Sequence, residues 1–208
     1  MFNLNATALI CPEEKMRKIT PLLMCVVISL FATSTAWSQT SSPTTESEIT
    51  KHLAQVATDL YLTEPQQLGL SDQEEKNINC MIENVFMEAR GEDNHGKLLV
   101  ANVVMNRVKH DNWPSTICGV VHQPSQFSWT AHKSGRQTFK RAKRNITPEY
   151  RNAVSTALYA TLFQEKPVTD ATYFYAPAVV KNPPSWSRSK KFKLVEKHQN
   201  HYFFKQVS

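Results

Sequence analysis

Residues 71–92 read SDQEEKNINCMIENVFMEARGE, and this stretch sets the fold class because it carries both ends of a helix. Ser71 and Glu74 stand in capping-box spacing, while Asp72 and Glu75 add negative charge at the positive end of the helix dipole. Ile78, Ile82, Val85 and Ala89 recur at helical spacing and mark a buried face. Gly91 is expected to end the helix in the left-handed conformation that glycine tolerates. Glu88 therefore falls in the last turn.

Downstream, a second helix is expected from His95 to Lys109, with Leu98, Ala101, Met105 and Val108 on one face and Trp113-Pro114 as breaker. A short helix over 115–121 follows. A third long helix has Thr147 as cap and Pro148 at its first position, with Tyr150, Ala153, Val154, Ala157, Leu158 and Leu162 inward. Thr172–Tyr175 and His201–Phe204 are aromatic and favour strands. The sum is an α+β fold, a predominantly helical single domain with a small β-sheet, over residues 71–208.

The chain opens differently. Arg17 and Lys18 precede an apolar run from Leu22 to Ala32, and Ala36 and Ser38 are placed like a cleavage site before Gln39, so residues 1–38 read as an export signal, its first fifteen residues either an extended leader or a start codon chosen ahead of Met16. An uncleaved membrane anchor is the competing reading, but the run is short for a bilayer. Residues 39–70 form a Ser/Thr-rich linker and an amphipathic helix carrying Ile49, Leu53, Val56 and Leu60, which either docks on the domain or acts as an arm.

The 208 residues carry 24 basic and 18 acidic side chains, a formal charge of +6. Loss of residues 1–38 would remove three basic and two acidic groups and leave +5, so the basic character belongs to the remaining chain. Lys133, Arg136, Lys140, Arg141, Lys143 and Arg144 form one acid-free basic run; Lys190, Lys191 and Lys193 form another. Such runs are commonly solvated surface, and in an exported protein they would attract envelope polyanions. No helix-turn-helix, zinc-finger or RNA-binding signature accompanies them, so no nucleic-acid partner is expected. Cys80 and Cys118 survive leader removal, and a disulfide and two free thiols are both open to them.

An (i, i+4) pair of carboxylates, Glu88 and Glu92 around Arg90 and Gly91, is weak by itself, since such pairs are commonly solvated helix ends. It is followed in order by Val100-Ala101-Asn102-Val103-Val104-Met105-Asn106-Arg107-Val108, Trp113-Pro114-Ser115-Thr116-Ile117-Cys118, Val120-Val121-His122-Gln123, Gln126-Phe127-Ser128-Trp129, Thr172-Tyr173-Phe174-Tyr175-Ala176, Trp186 and His201-Tyr202-Phe203. Over 77–204 this series resembles the spore-cortex-lytic cell wall hydrolase family (SleB type). Asn200 departs from the pattern where a Gly is usual, and Ser125 and Ala131 stand where many relatives carry Cys.

The resemblance implies a lysozyme/lytic-transglycosylase-like cleft and cleavage of the β-1,4 bond between N-acetylmuramic acid and N-acetylglucosamine, commonly by lytic transglycosylation, with Glu88 as the acid. That chemistry needs a carboxyl still protonated near neutral pH. The helix C-terminus, Met81 and Val85, and an approaching Glu92 would each raise its pKa, and an inward Arg90 would lower it. No second carboxylate is evident, as expected where the substrate's own C6 hydroxyl attacks.

Gln126, Ser128, Asn106 and Tyr173 are candidates to hydrogen-bond sugar groups, and Phe127, Trp129 and Phe174 to face pyranose rings. Burial in the core is the competing role for Phe127 and Phe174. His201 would orient Glu88 or substrate, against packing as its alternative. No metal and no cofactor is expected. The expected partner is peptidoglycan, met by a monomer in the periplasm or cell envelope without stable membrane insertion. A hydrolytic muramidase, a non-catalytic peptidoglycan-binding module and an exported polyanion-binding protein are the other readings.

Overall fold

In the computed structural model, residues 46–207 are described; the expected export signal at 1–38 and the start of the linker lie outside them. Their α-helices are α1 (Glu46–Thr63), α2 (Asp72–Ala89), α3 (Asn94–Val108), α4 (Ile117–Val121), α5 (Lys133–Asn145) and α6 (Pro148–Leu158), and their strands are β1 (Tyr173–Tyr175), β2 (Phe192–His198) and β3 (His201–Gln206). The α+β class expected from the sequence is the class observed.

Helix α2 begins as its sequence requires. The Ser71 hydroxyl accepts from the Glu74 amide, and the Glu74 carboxylate accepts from the Ser71 amide. Its end differs from expectation. Gly91 is not left-handed; Gly69 is the glycine with positive φ among the described residues. The chain instead leaves α2 through a turn closed by the Glu92 amide donating to the Ala89 carbonyl, and Asp93 at once caps α3 by accepting from the Gly96 amide at 2.8 Å. The short link is therefore fixed by the next helix's cap rather than by glycine's conformational freedom.

Helix α3 is the central element. Leu99, Val100, Ala101, Asn102, Val103, Val104 and Arg107 are all buried, whereas Leu98, Met105 and Val108, expected on its inner face, are only half-buried. A helix enclosed on nearly every side has a weak amphipathic pattern, which is why periodicity selected the wrong stripe. Buried polar groups on it are used as latches. Asn102 accepts from the Val168 amide at 2.6 Å and exchanges hydrogen bonds with the Gln164 side chain, fixing the segment that follows α6.

Helix α6 starts as expected, with Thr147 capping Tyr150 and Pro148 in the first turn, and packs along α2, α3 and α1. Its last turn, Tyr159–Phe163, widens into a π-type turn. Helix α1 docks on α6 through the fully buried Ala57 and the ion pair between Arg151 and Asp59 at 2.5 Å. The basic run beginning at Lys133 is itself a helix, α5, held by Phe139, which contacts Phe86 and Tyr150 edge-on at 5.5 and 5.8 Å. Cys80 and Cys118 are joined by a disulfide that ties α2 to α4.

The sheet is antiparallel in the order β1-β3-β2. Period-2 alternation divides its aromatics between two faces. Phe174 and Phe203, paired in register, face the core with Ala89, Leu99, Val100, Val103 and Ala171. Tyr173, Tyr175 and Phe204 face the other way, where Trp186 covers them with ring centres 5.2, 6.0 and 5.3 Å away.

Candidate active site

Glu88 lies in the last turn of α2 and Arg107 in the last turn of α3, and the two charges, 19 positions apart in sequence, act on one another electrostatically. Both are displaced from their ordinary protonation behaviour. Burial pushes the Glu88 carboxyl from 4.5 up to about 7, and the positive charge of Arg107 opposes it. Burial pushes Arg107 well below the ordinary arginine range, to about 10, with Tyr173 and Glu88 acting in the opposite direction. Desolvation outweighs the attraction in both cases, so at neutral pH the guanidinium stays charged while the carboxyl is held near its midpoint.

Burial, expected from Met81 and Val85, is the largest cause, while the charges acting on Glu88 differ from those expected. Glu92 does not lie against Glu88; it is buried and accepts a hydrogen bond from the Asn200 side chain at 2.9 Å. Arg90 does not turn toward the carboxyl but lies over the Phe86 ring at 5.5 Å. Arg107, to which sequence reasoning assigned no role, supplies the opposing charge.

Arg107 is held on several sides. Its Nε donates to the Thr172 carbonyl at 2.7 Å, and its guanidinium lies 4.2 Å from the centre of the Trp113 ring, 5.5 Å from Phe127 and 5.6 Å from Tyr173. Its Nη1 is buried without a hydrogen-bond partner. A buried donor left unpaired costs about 1–3 kcal/mol, so the surroundings hold this cation at an energetic penalty. Asn84, one turn before Glu88 on α2, is likewise fully buried with neither amide atom paired.

The other expected site residues divide. Gln126 is half-buried and Ser128 is exposed, following Ser125, whose φ of 63° is a left-handed conformation that costs a non-glycine residue about 1 kcal/mol. Tyr173 is half-buried beside Trp113 and Trp186. Phe127 and Trp129 are buried at 3% and 6% exposure, which removes them as open sugar platforms. Phe127 instead lies beneath Arg107 and beside Phe174, whose own face is in the core. Asn106 donates both amide protons to the carbonyls of Thr169 and Ala171, each at 2.9 Å, and so holds the loop before β1. His201 is also placed away from the role expected for it. Its ring packs on Phe174 at 5.3 Å, and its Nδ1 lies 3.5 Å from Glu92 without hydrogen-bond alignment.

Three surface cavities, of about 540, 400 and 200 Å³, are lined around Glu83 and Lys143, around Leu98 and Tyr159, and around Tyr61 and Ile146. None of the three includes Glu88, which is half-buried at the end of its helix. Among the described residues, one group of side chains able to ligate a metal, His95, Glu196 and His198, stands at the junction of α3 and β2; His95 is 101 residues from Glu196, so sequence spacing did not reveal it.

With this geometry established, comparison with known proteins places the chain. The family model for Cell Wall Hydrolase matches residues 91–204, more than half of the chain, beginning just after Glu88. The spore cortex-lytic enzyme of Halalkalibacterium halodurans is 32% identical over 130 residues, 62% of this chain and 35% of that protein. The spore cortex-lytic enzyme of Bacillus cereus is 29% identical over 124 residues, 60% of this chain and 43% of that protein. The matched region thus spans roughly two fifths of these curated relatives. Among solved structures, the catalytic domain of the germination-specific lytic transglycosylase SleB from Bacillus anthracis covers 66% of this chain and 98% of its own, with 25% identity and a TM-score of 0.46. The chain belongs to the cell wall hydrolase family.

Proposed function

We propose that this protein cleaves peptidoglycan glycan strands at the β-1,4 bond between N-acetylmuramic acid and N-acetylglucosamine, as a lytic transglycosylase with Glu88 as its acid and base. The observation that carries the reading is the opposition of burial and Arg107 at Glu88, which brings the carboxyl to about 7. A group balanced there is protonated often enough to donate to the leaving glycosidic oxygen. It is also acidic enough to leave as a carboxylate and accept a proton in the second half of the reaction.

In the first half, Glu88 gives its proton to the leaving oxygen as the anomeric carbon acquires oxocarbenium character. The resulting carboxylate is stabilised by the fixed charge of Arg107, which acts through Glu88 rather than on the sugar. In the second half, the C6 hydroxyl of the muramoyl residue attacks the anomeric carbon, and Glu88 takes up the hydroxyl proton. Bonds and charges balance with one carboxyl group, and the product is a 1,6-anhydro sugar. Gln126, Ser128 and the half-buried Tyr173 remain as the substrate-contacting candidates, and the half-buried Trp113 beside Tyr173 joins them.

Action in the cell envelope fits one observation. The Cys80–Cys118 disulfide suits an oxidising compartment. No helix among the described residues is long and apolar enough to cross a membrane. Export through residues 1–38, a catalytic domain over 71–208 and action as a monomer belong to the same proposal.

Incubation of the pure protein with peptidoglycan, followed by mass spectrometry of the soluble products, tests it. Anhydro-muropeptides support the transglycosylase. Reducing muropeptides would move the assignment to a muramidase, and binding without release of fragments would make it a peptidoglycan-binding module.

A further inference from the structure

We propose that His95, Glu196 and His198 form a zinc site that clamps the first turn of α3 to the β2–β3 hairpin. One ligating atom from each of the three lies within 4.8 Å of the other two, on two elements that are distant in sequence. The His95 and His198 rings meet edge to face at 4.9 Å, and His95 Nε2 lies 2.8 Å from the Glu196 carboxylate. Two imidazoles and a carboxylate suit Zn²⁺, and three protein ligands leave its fourth tetrahedral position for water.

Two further features surround the cluster. Asp93 Oδ1 lies 2.8 Å from His198 Nε2, a carboxylate set to fix the orientation and tautomer of that imidazole. Gly96 makes the approach possible: a β-carbon there would stand 3.1 Å from His198 Cδ2 and 2.8 Å from Glu92 Cβ. A side chain at this position would crowd both Glu92 and the hairpin's His198. The three ligands are also open to solvent, with side-chain exposures of 46% for His95, 30% for Glu196 and 22% for His198, so an ion has a route in.

The proposal does not depend on the proposed reaction. Calorimetric titration of the tag-free, chelator-treated protein with Zn²⁺ alone at pH 7.5 should show one ion per chain. His95→Gln with His198→Gln should abolish that binding. Asp93→Asn, which retains a helix-capping residue, should weaken it about 10–100-fold. In parallel, Zn²⁺ should raise the melting temperature of the wild type and leave that of the double variant unchanged, because only a folded state that binds the ion is stabilised by it. Circular dichroism of the metal-free double variant establishes that it is folded. Absence of binding by the wild type, or equal binding by the folded double variant, overturns the proposal.

Discussion

Arg107 acts on Glu88 without neutralising it: the guanidinium's charge pulls the carboxyl's pKa down, yet burial still leaves it at about 7. An acid that loses its proton near neutrality must show this in its rate. Activity on peptidoglycan should be supported by the protonated form, so kcat/KM should fall about tenfold per pH unit on the alkaline side, with its inflection near 7. Glu88→Gln keeps the shape and removes the exchangeable proton, and its kcat should drop by at least about a hundredfold. Product release measured across pH 5–9 checks both; full activity in Glu88→Gln would remove the assignment.

The same shift has a consequence for stability. The folded carboxyl holds its proton more tightly than the unfolded one, so between 4.5 and about 7 the native state binds more protons, and stability falls as pH rises through that interval. The displacement corresponds to about 3 kcal/mol once the group is fully ionised. Chemical denaturation of the wild type and Glu88→Gln at pH 4 and pH 8 should therefore show the variant gaining on the wild type by up to that amount at pH 8. A difference that does not change with pH would mean that Glu88 titrates normally.

Arg107 can be tested by separating its charge from its shape. Arg107→Lys keeps a cation but loses the fork that bonds Thr172 and stacks on Trp113, so kcat/KM should fall while the alkaline inflection stays within about half a unit. Arg107→Met removes the cation and should move the inflection upward, because the one charge lowering the Glu88 pKa is gone. A downward move, or none in a folded Arg107→Met protein, would contradict the electrostatic role. Melting curves of both variants identify any loss that is merely structural.

These relationships explain which parts of the molecule could be read before folding. Helix α2 announced both its cap and its terminal Glu88 because the signals are local: Ser71, Glu74 and a regular apolar stripe. The strands at Tyr173 and His201 were visible in their aromatic content for the same reason. Strand β2 was obscured by the lysines that face solvent along it, and α5 by the density of charge between Lys133 and Arg144. Arg107 was invisible as a partner of Glu88 because nothing local distinguishes a buried arginine from one at a solvated helix end. Asn106 was assigned to substrate by residue type, and only the positions of the Thr169 and Ala171 carbonyls show that its protons are already used.

The Cys80–Cys118 disulfide closes a separation of 38 residues. By loop-closure entropy it should contribute on the order of 3–4 kcal/mol, chiefly by restricting the unfolded chain. Replacing both cysteines by serine should lower the melting temperature and the urea midpoint accordingly, and a reductant should reproduce the loss in the wild type but not in the variant. At temperatures where the variant is folded, its activity should be retained, because the bridge ties α2 to α4 rather than touching Glu88.

Helix α5 presents Lys133, Arg136, Lys140 and Arg144 to solvent with no acid among them, while Phe139 and Ala142 anchor its other side. Exposed charges of this kind contribute little to folding, typically within about 0.5 kcal/mol each, so a role beyond solvated surface would lie in attraction to something outside the protein. Peptidoglycan stem peptides and associated envelope polymers offer carboxylates and phosphates, and screening shortens the reach of such attraction to about 10 Å at 0.1 M salt. Reversing the four residues to glutamate should leave the melting temperature nearly unchanged and weaken co-sedimentation with purified sacculi severalfold at low salt. The difference from wild type should vanish near 1 M salt. If it persists there, or if cleavage of short soluble muropeptides is lost as well, α5 acts by direct contact with the glycan instead of by long-range attraction.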